Sequence, residues 1–258
     1  CRGINEFVVC ASSYQPWLTH KYDDANSKHP YVFHRFHPNW KTVGPFWEYQ
    51  ARCSQMLQTG KPVVDLCVYI GEDPPQKTLA YKLPEIPEGY NFDVCTYHAL
   101  ATRLYAKQGE LATDAGMTYK ALIVQDRTFL SDKAISKIKC FERAGVPVIW
   151  CNKGQDVGEE LAKRNIRPDI TLRSANLPDD KTCFFHRTVK GADIYFVYNH
   201  SNHDFCQDVK LRSNFTHAEL WNPDTKAKKE AALTRNKSVK LRMKPYESVF
   251  IVLTKKTK

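Results

Sequence analysis

The sequence predicts an α/β unit built on a parallel sheet, followed by a small antiparallel β-sandwich. Two patterns predict it. Up to about residue 180, apolar runs of strand length alternate with stretches of helical spacing; from about Lys181 onward, short strands of alternating polarity take over. Gly, Pro and Asn punctuate both patterns, as turns between such elements require. Strands that alternate with helices imply a parallel sheet covered on both faces, and its small-molecule crevice lies at the carboxyl ends of the strands.

The elements follow in order. Residues 4–10 read as a short buried strand, and residues 11–17 as a loop. The stretch to about Lys41 is loop-like, with Tyr14, Trp17, Tyr22, Tyr31, Phe33, Phe36 and Trp40 interleaved with four histidines. Phe46, Tyr49, Cys53, Met56 and Leu57 stand at helical spacing between Pro45, suited to a first turn, and Gly60, suited to a stop. Residues 61–70 form a buried strand and residues 90–95 a second, across a Pro-rich linker. Residues 97–107 are expected to be helical, 110–119 a hairpin and 121–125 a third strand. Ser131 caps a helix that runs to Arg143 and stops at Gly145. Residues 146–150 give a fourth strand, 157–164 a helix and 169–172 a fifth strand. The sandwich strands are expected at 183–188, 192–198, 207–211, 218–221, 238–243 and 248–253.

Composition narrows the function. With 258 residues, 42% hydrophobic and 26% charged, the chain falls among ordinary globular proteins and outside the disordered and collagenous classes. No apolar run approaches the roughly 18 residues of a membrane-spanning helix, so no membrane partner is expected. The net charge of +10 raises polyanion binding as a reading. Against it, the basic residues are scattered, and the clusters at Lys226, Lys228, Lys229 and at Lys255, Lys256, Lys258 fall in an expected turn and a tail. No nucleic-acid module spacing is present, and no nucleic acid is expected as partner.

The nine cysteines show no C-x-x-C pair and no zinc spacing, and the histidines form no H-x-x-x-H or H-E-x-x-H pattern; no metal is expected. Cys10, Cys67, Cys95 and Cys151 lie in or beside apolar runs and read as core thiols. The α/β stretch carries no G-x-G-x-x-G, phosphate loop, G-x-S-x-G or Cys elbow, so neither a cofactor nor a catalytic residue is assigned to it. Glu72 and Asp73 end the strand over residues 63–70, at the sheet's carboxyl edge. They read either as solvated loop acids or as ligand contacts; Glu6 reads as a further candidate or as a buried ion-pair partner. Tyr14, Gln15, Trp17 and Trp40 are the aromatic and amide groups suited to a sugar, whose apolar C–H face packs on a ring; loop packing is the competing account. The substrate-binding candidates are therefore Tyr14, Gln15, Trp17, Trp40 and Glu72. Cys1 is followed at once by a buried-strand pattern, and we expect the chain to begin inside a domain whose earlier part lies on other polypeptide.

Several segments, in order, resemble the C-terminal part of large glycoside hydrolases of the α-L-rhamnosidase type, family 106. They are residues 3–8 with Gln15, Pro16 and Trp17; Gly44 to Phe46; 49–53; 64–73; 89–94; 116–124; 192–199; 219–223; and 246–249. The resemblance implies three parts. Residues 1–60 would finish a (β/α)₈ catalytic barrel, 61–180 would form a flavodoxin-like, glutamine-amidotransferase-like domain without catalytic function, and 181–258 the β-sandwich. It implies a carbohydrate substrate cleaved with two carboxylates supplied upstream, the N-terminal remainder of the same enzyme as partner, a chain inactive alone, and a secreted or periplasmic protein. A non-catalytic carbohydrate-binding or scaffolding protein is the alternative. Cys10 stands where the resemblance leads us to expect a His.

Overall fold

A computed structural model describes residues 4–7, 39–72, 83–125, 130–151, 156–172 and 183–255. Helix α1, Val43–Gln58, begins three residues before the predicted Phe46, because Gly44 and Pro45 are accommodated in a first turn whose N–H groups need no intrahelical partner. Its apolar stripe of Tyr49, Cys53, Met56 and Leu57 packs on Ile194, Phe196, Phe250 and Val252 of the sandwich. Gly60 follows at φ +67°, and a Cβ there would stand 2.2 Å from the Thr188 carbonyl oxygen, so the close approach of helix end and sheet requires glycine.

The apolar run over residues 61–70 does not form one strand. Lys61–Pro62 (β1) pairs with the sandwich, and Leu66–Tyr69 (β2) enters the parallel sheet. Phe92–Cys95 is β3 and Tyr97–Thr102 is α2. The predicted helix over 97–107 stops there: Tyr105–Lys107 is instead a strand, β4, antiparallel to β5 (Glu110–Ala112), which pairs in turn with β6 (Thr118–Tyr119). Aromatic Tyr105 and the Gln108–Gly109 turn, both residues at positive φ, favour this small meander over another helical turn. Ala121–Gln125 is β7, Asp132–Arg143 is α3, Val148–Cys151 is β8 and Val157–Lys163 is α4. The Ser131 hydroxyl accepts from Ala134 N–H, and Asp156 caps α4 in the same manner through Gly158 N–H.

The parallel sheet has the order β3-β2-β7-β8. Along β7, Leu122 and Val124 face α2 and α3, whereas Ala121 and Ile123 face α4; burial on both faces is why the sequence reads as one continuous apolar run. Cys67, Cys95 and Cys151 are buried. Contact with the Cys95 thiol, and then burial, push the Cys67 thiol well above its ordinary value, as suits an unreactive core residue.

Ile170–Thr171 (β9) was expected as a fifth strand of that sheet but pairs with the sandwich. The remaining strands are β10 Cys183–Val189, β11 Ala192–Tyr198, β12 Phe205–Leu211, β13 His217–Trp221, β14 Lys228–Ala231, β15 Ser238–Met243 and β16 Ser248–Thr254. One sheet runs β1-β10-β11-β16-β13-β14 and the facing sheet β15-β12-β9. Period-two alternation sorts β11: Tyr195 and Val197 point into the sandwich with Val209, Leu211 and Val239, while Ile194 and Phe196 face α1. Lys228 and Lys229, expected in a turn, lie in β14, an edge strand whose charge discourages further pairing.

The expected strand over residues 4–10 is described only over 4–7. There the backbone forms no strand, and Ile4 and Phe7 are 56% and 59% exposed; a strand is buried only by neighbours, and here Gln58 Nε2 donates to the Asn5 carbonyl at 3.5 Å. No helix among the described residues is long and apolar enough to cross a membrane.

Candidate functional site

Of the predicted contact residues, Tyr14, Gln15 and Trp17 lie outside the described residues, as does Asp73. Trp40 sits in the turn ahead of α1 and is 44% exposed. Glu72 lies past the end of β2, half-buried, where its Oε1 accepts Ser131 N–H at 2.9 Å and the Tyr69 hydroxyl at 3.3 Å. A carboxylate against the first N–H groups of α3 complements the helix dipole, so Glu72 joins β2 to α3. Burial first, and the Glu72 carboxylate second, raise the Tyr69 phenol above its ordinary value. Trp40 and Glu72 thus stand on different modules, and Glu6 is exposed.

Two polar clusters were not expected from the sequence. The first lies where the parallel-sheet module meets the sandwich. Buried Asp65, between β1 and β2, accepts two hydrogen bonds from the Arg212 guanidinium at 2.8 and 2.9 Å, and Lys120 Nζ stands 3.0 Å from it. Buried Asp169, ahead of β9, accepts from His186 Nδ1 at 2.8 Å, lies 3.0 Å from the Tyr195 hydroxyl and meets the same Arg212 nitrogen at 3.2 Å. His186 and Tyr195 stack with ring centroids 3.8 Å apart. On its other side, His186 Nε2 stands 3.5 Å from Asp193, in ionic contact but outside hydrogen-bond geometry, and Asp193 accepts the Ser213 hydroxyl at 2.7 Å.

The charges of this cluster are interlocked. Burial is the largest single influence on His186 and disfavours the imidazolium, but Asp169 and Asp193 together outweigh it and hold the group above its ordinary value. Burial likewise opposes ionisation of Asp193, yet His186 and Ser213 hold its carboxyl below the usual range. Asp65 and Asp169 are close together, each reaching one guanidinium nitrogen, but a glycosidase pair must exchange protons with a sugar and water between its carboxylates. These two are buried and saturated by Arg212, Lys120, His186 and Tyr195, so they join modules and perform no acid–base step.

The second cluster lies between α1 and the β13–β14 turn. Arg52 donates to the carbonyls of Pro223 and Asp224 and pairs with Glu48 at 3.1 Å, which fixes the turn against the helix. Asn222 Oδ1 accepts Asp224 and Thr225 N–H, both at 2.9 Å, closing the turn. Lys226 also reaches Glu48, at 2.8 Å, and its hydrogen bond is the largest influence holding that exposed carboxyl below its usual value. Above a floor of Met56 and Phe250 a cavity of about 200 Å³ opens, walled by the Trp221 indole. The Lys228 ammonium rests 3.6 Å from the Trp221 ring centroid, while the indole N–H donates to Glu219 at 2.8 Å. The sequence shows the parts of this cleft separately, Met56 on a helical stripe, Arg52 and residues 219–223 in the resemblance, and Lys226 and Lys228 as a basic cluster, without bringing them together; nothing in the spacing of Asp65, Asp169, His186 and Arg212 marks the junction.

Among the described residues no group of three or more His, Cys, Asp or Glu side chains is placed to hold a metal ion.

Comparison with known proteins supplies the family. The model for glycoside hydrolase family 106, described as alpha-L-rhamnosidase, matches residues 1–152 and 148–235. A Formosa agariphila protein that carries the provisional name beta-glucuronidase is 27% identical over 99% of this chain and 25% of its own length. The fold is similar to that of a rhamnosidase from Novosphingobium sp. PP1Y, with a TM-score of 0.74 over 88% of this chain and 26% of the other, at 21% identity. The chain spans about a quarter of the length of each of these relatives.

Proposed function

Because this chain belongs to glycoside hydrolase family 106, the alpha-L-rhamnosidases, we propose that it is the accessory part of an enzyme that hydrolyses an α-L-rhamnosidic bond in a polysaccharide or oligosaccharide. The family match across residues 1–235 carries this reading. In it, residues 1–60 complete a (β/α)₈ barrel, the parallel-sheet module is glutamine-amidotransferase-like without catalytic function, and the sandwich closes the chain. Exposed Ile4, Phe7, Trp40 and Phe46, on or ahead of α1, supply an apolar surface for the remainder of the enzyme to cover. The protein is secreted or periplasmic, where polymeric substrates are met.

By the family resemblance, the catalytic acid and base of this reading come from outside the chain, and among the described residues the buried carboxylates Asp65 and Asp169 are held by Arg212. One carboxyl protonates the leaving oxygen; the other activates water or attacks the anomeric carbon. The contribution of this chain is to border the sugar with Tyr14, Gln15, Trp17 and Trp40 and to hold that border on a rigid base.

The test is hydrolysis of an aryl α-L-rhamnoside by the full-length gene product and by the 258-residue chain. Turnover by the full-length protein and none by the chain is the expected result. A full-length protein that leaves rhamnosides intact while cleaving another glycoside would overturn the substrate assignment, and turnover by the chain alone would overturn the division of labour.

A further inference from the structure

We propose that the cleft between α1 and β13 is a binding site for a uronate residue of an acidic oligosaccharide. The proposal goes beyond the hydrolytic reading, since it concerns binding by this chain at a place that the catalytic argument does not use.

Three features of the cleft converge on that ligand. Its cavity of about 200 Å³ is floored by Met56 and Phe250 and walled by Trp221, an aromatic surface on the scale of one sugar ring. Its lining carries three cations, Arg52, Lys226 and Lys228, and no carboxylate among the described residues. The three differ in what occupies them. Arg52 and Lys226 share Glu48, whereas the exposed Lys228 places its ammonium over the Trp221 ring.

That last contact is one a ligand can exchange. Trp221 is half-buried and Lys228 exposed, and a cation over such a ring is held less tightly than by a charge-assisted hydrogen bond to a carboxylate. When a uronate enters, the ammonium leaves the ring for the carboxylate, and the freed indole face receives the C–H face of the sugar. The exposed Gln55 amide, on the helix wall, is available to a ring hydroxyl. A neutral sugar has nothing to draw Lys228 away, so the same cleft discriminates against it. A nucleic acid requires a basic stripe that follows a backbone; here the cations converge on one small concavity.

The experiment is a titration of the 258-residue chain with trigalacturonic acid and with a neutral trisaccharide, followed by calorimetry and by tryptophan fluorescence. The acidic trisaccharide is expected to bind and the neutral one not. Lys228→Gln should weaken binding about tenfold, the scale of one charge-assisted contact. Trp221→Phe should remove the fluorescence change while the far-UV circular dichroism stays that of the parent. Lys228 is an exposed side chain, so its variant reports on the site even where a change at Trp221 perturbs folding. Absence of binding, equal binding of the neutral sugar, or affinity unchanged in Lys228→Gln would overturn the proposal. An equal response to inorganic polyphosphate would also overturn it, by showing a general anion surface.

Discussion

The two charged clusters use the same residue types to opposite ends. At the junction, Asp65, Asp169 and His186 are buried, Arg212 is 30% exposed, and each charge meets a partner fixed by its own element. In the α1–β13 cleft, Arg52, Lys226 and Lys228 line a concavity open to solvent, with the Lys228 ammonium parked on a ring. Burial with saturation makes a joint; exposure with surplus charge makes a place for a ligand. The difference is one of energetics as well as geometry, because removal of one partner from a buried pair leaves an uncompensated charge, whereas an exposed charge is re-solvated by water.

The contrast is broken most directly at Asp169. Asp169→Ala deprives buried His186, and the partly exposed Arg212, of their shared acceptor and should cost about 3–5 kcal/mol in urea unfolding, the range for one member of a buried ion pair. A cost below about 1 kcal/mol would mean that the junction behaves as a surface cluster.

A pH series sharpens the same point. His186 is held above its ordinary value, so its contribution is complete below about pH 6.5, the value of the unfolded group, and is lost as pH rises through the folded value. Asp193 is held below its ordinary value; its contribution is complete above about pH 4 and is lost as pH falls through the folded value. Stability is therefore expected to be greatest in the mildly acidic window between these values. On the alkaline side, the His186 slope is bounded at about 1.4 kcal/mol per pH unit, and His186→Gln should flatten it. The smallest effect belongs to the cleft: Lys228→Gln should change stability by no more than about 1 kcal/mol, which the same urea curves would show.

The sequence made much of the fold legible because local signals there agreed with tertiary packing. Ser131 and Gly145 bracket α3, and the alternation over residues 192–198 places Tyr195 and Val197 on the sandwich core with Ile194 and Phe196 on the α1 side. It failed where the chain changes sheets. Lys61–Pro62 and Leu66–Tyr69 read as one apolar run because apolar periodicity says nothing of which sheet a strand joins, and Ile170–Thr171 misled for the same reason. Strand β14, Lys228–Ala231, was hidden by its own exposure, since an edge strand covered with charge has no apolar face to show. The junction was illegible for a different reason. Asp65, Asp169, His186, Tyr195 and Arg212 are assembled from separate segments, and a single acid beside an apolar run, such as Asp65, is as readily a strand end as half of an ion pair.

We expect the buried junction to make the parallel-sheet module and the sandwich one folding unit. Trp150 in β8 and Trp221 in β13 report on the two sides. The measurement is urea unfolding of the chain and of its Trp150→Phe and Trp221→Phe variants by tryptophan fluorescence, repeated with Asp169→Ala. One coincident transition in the parent, which separates into two when Asp169 is removed, is the predicted result. Two transitions already present in the parent would show that the junction does not couple the two modules.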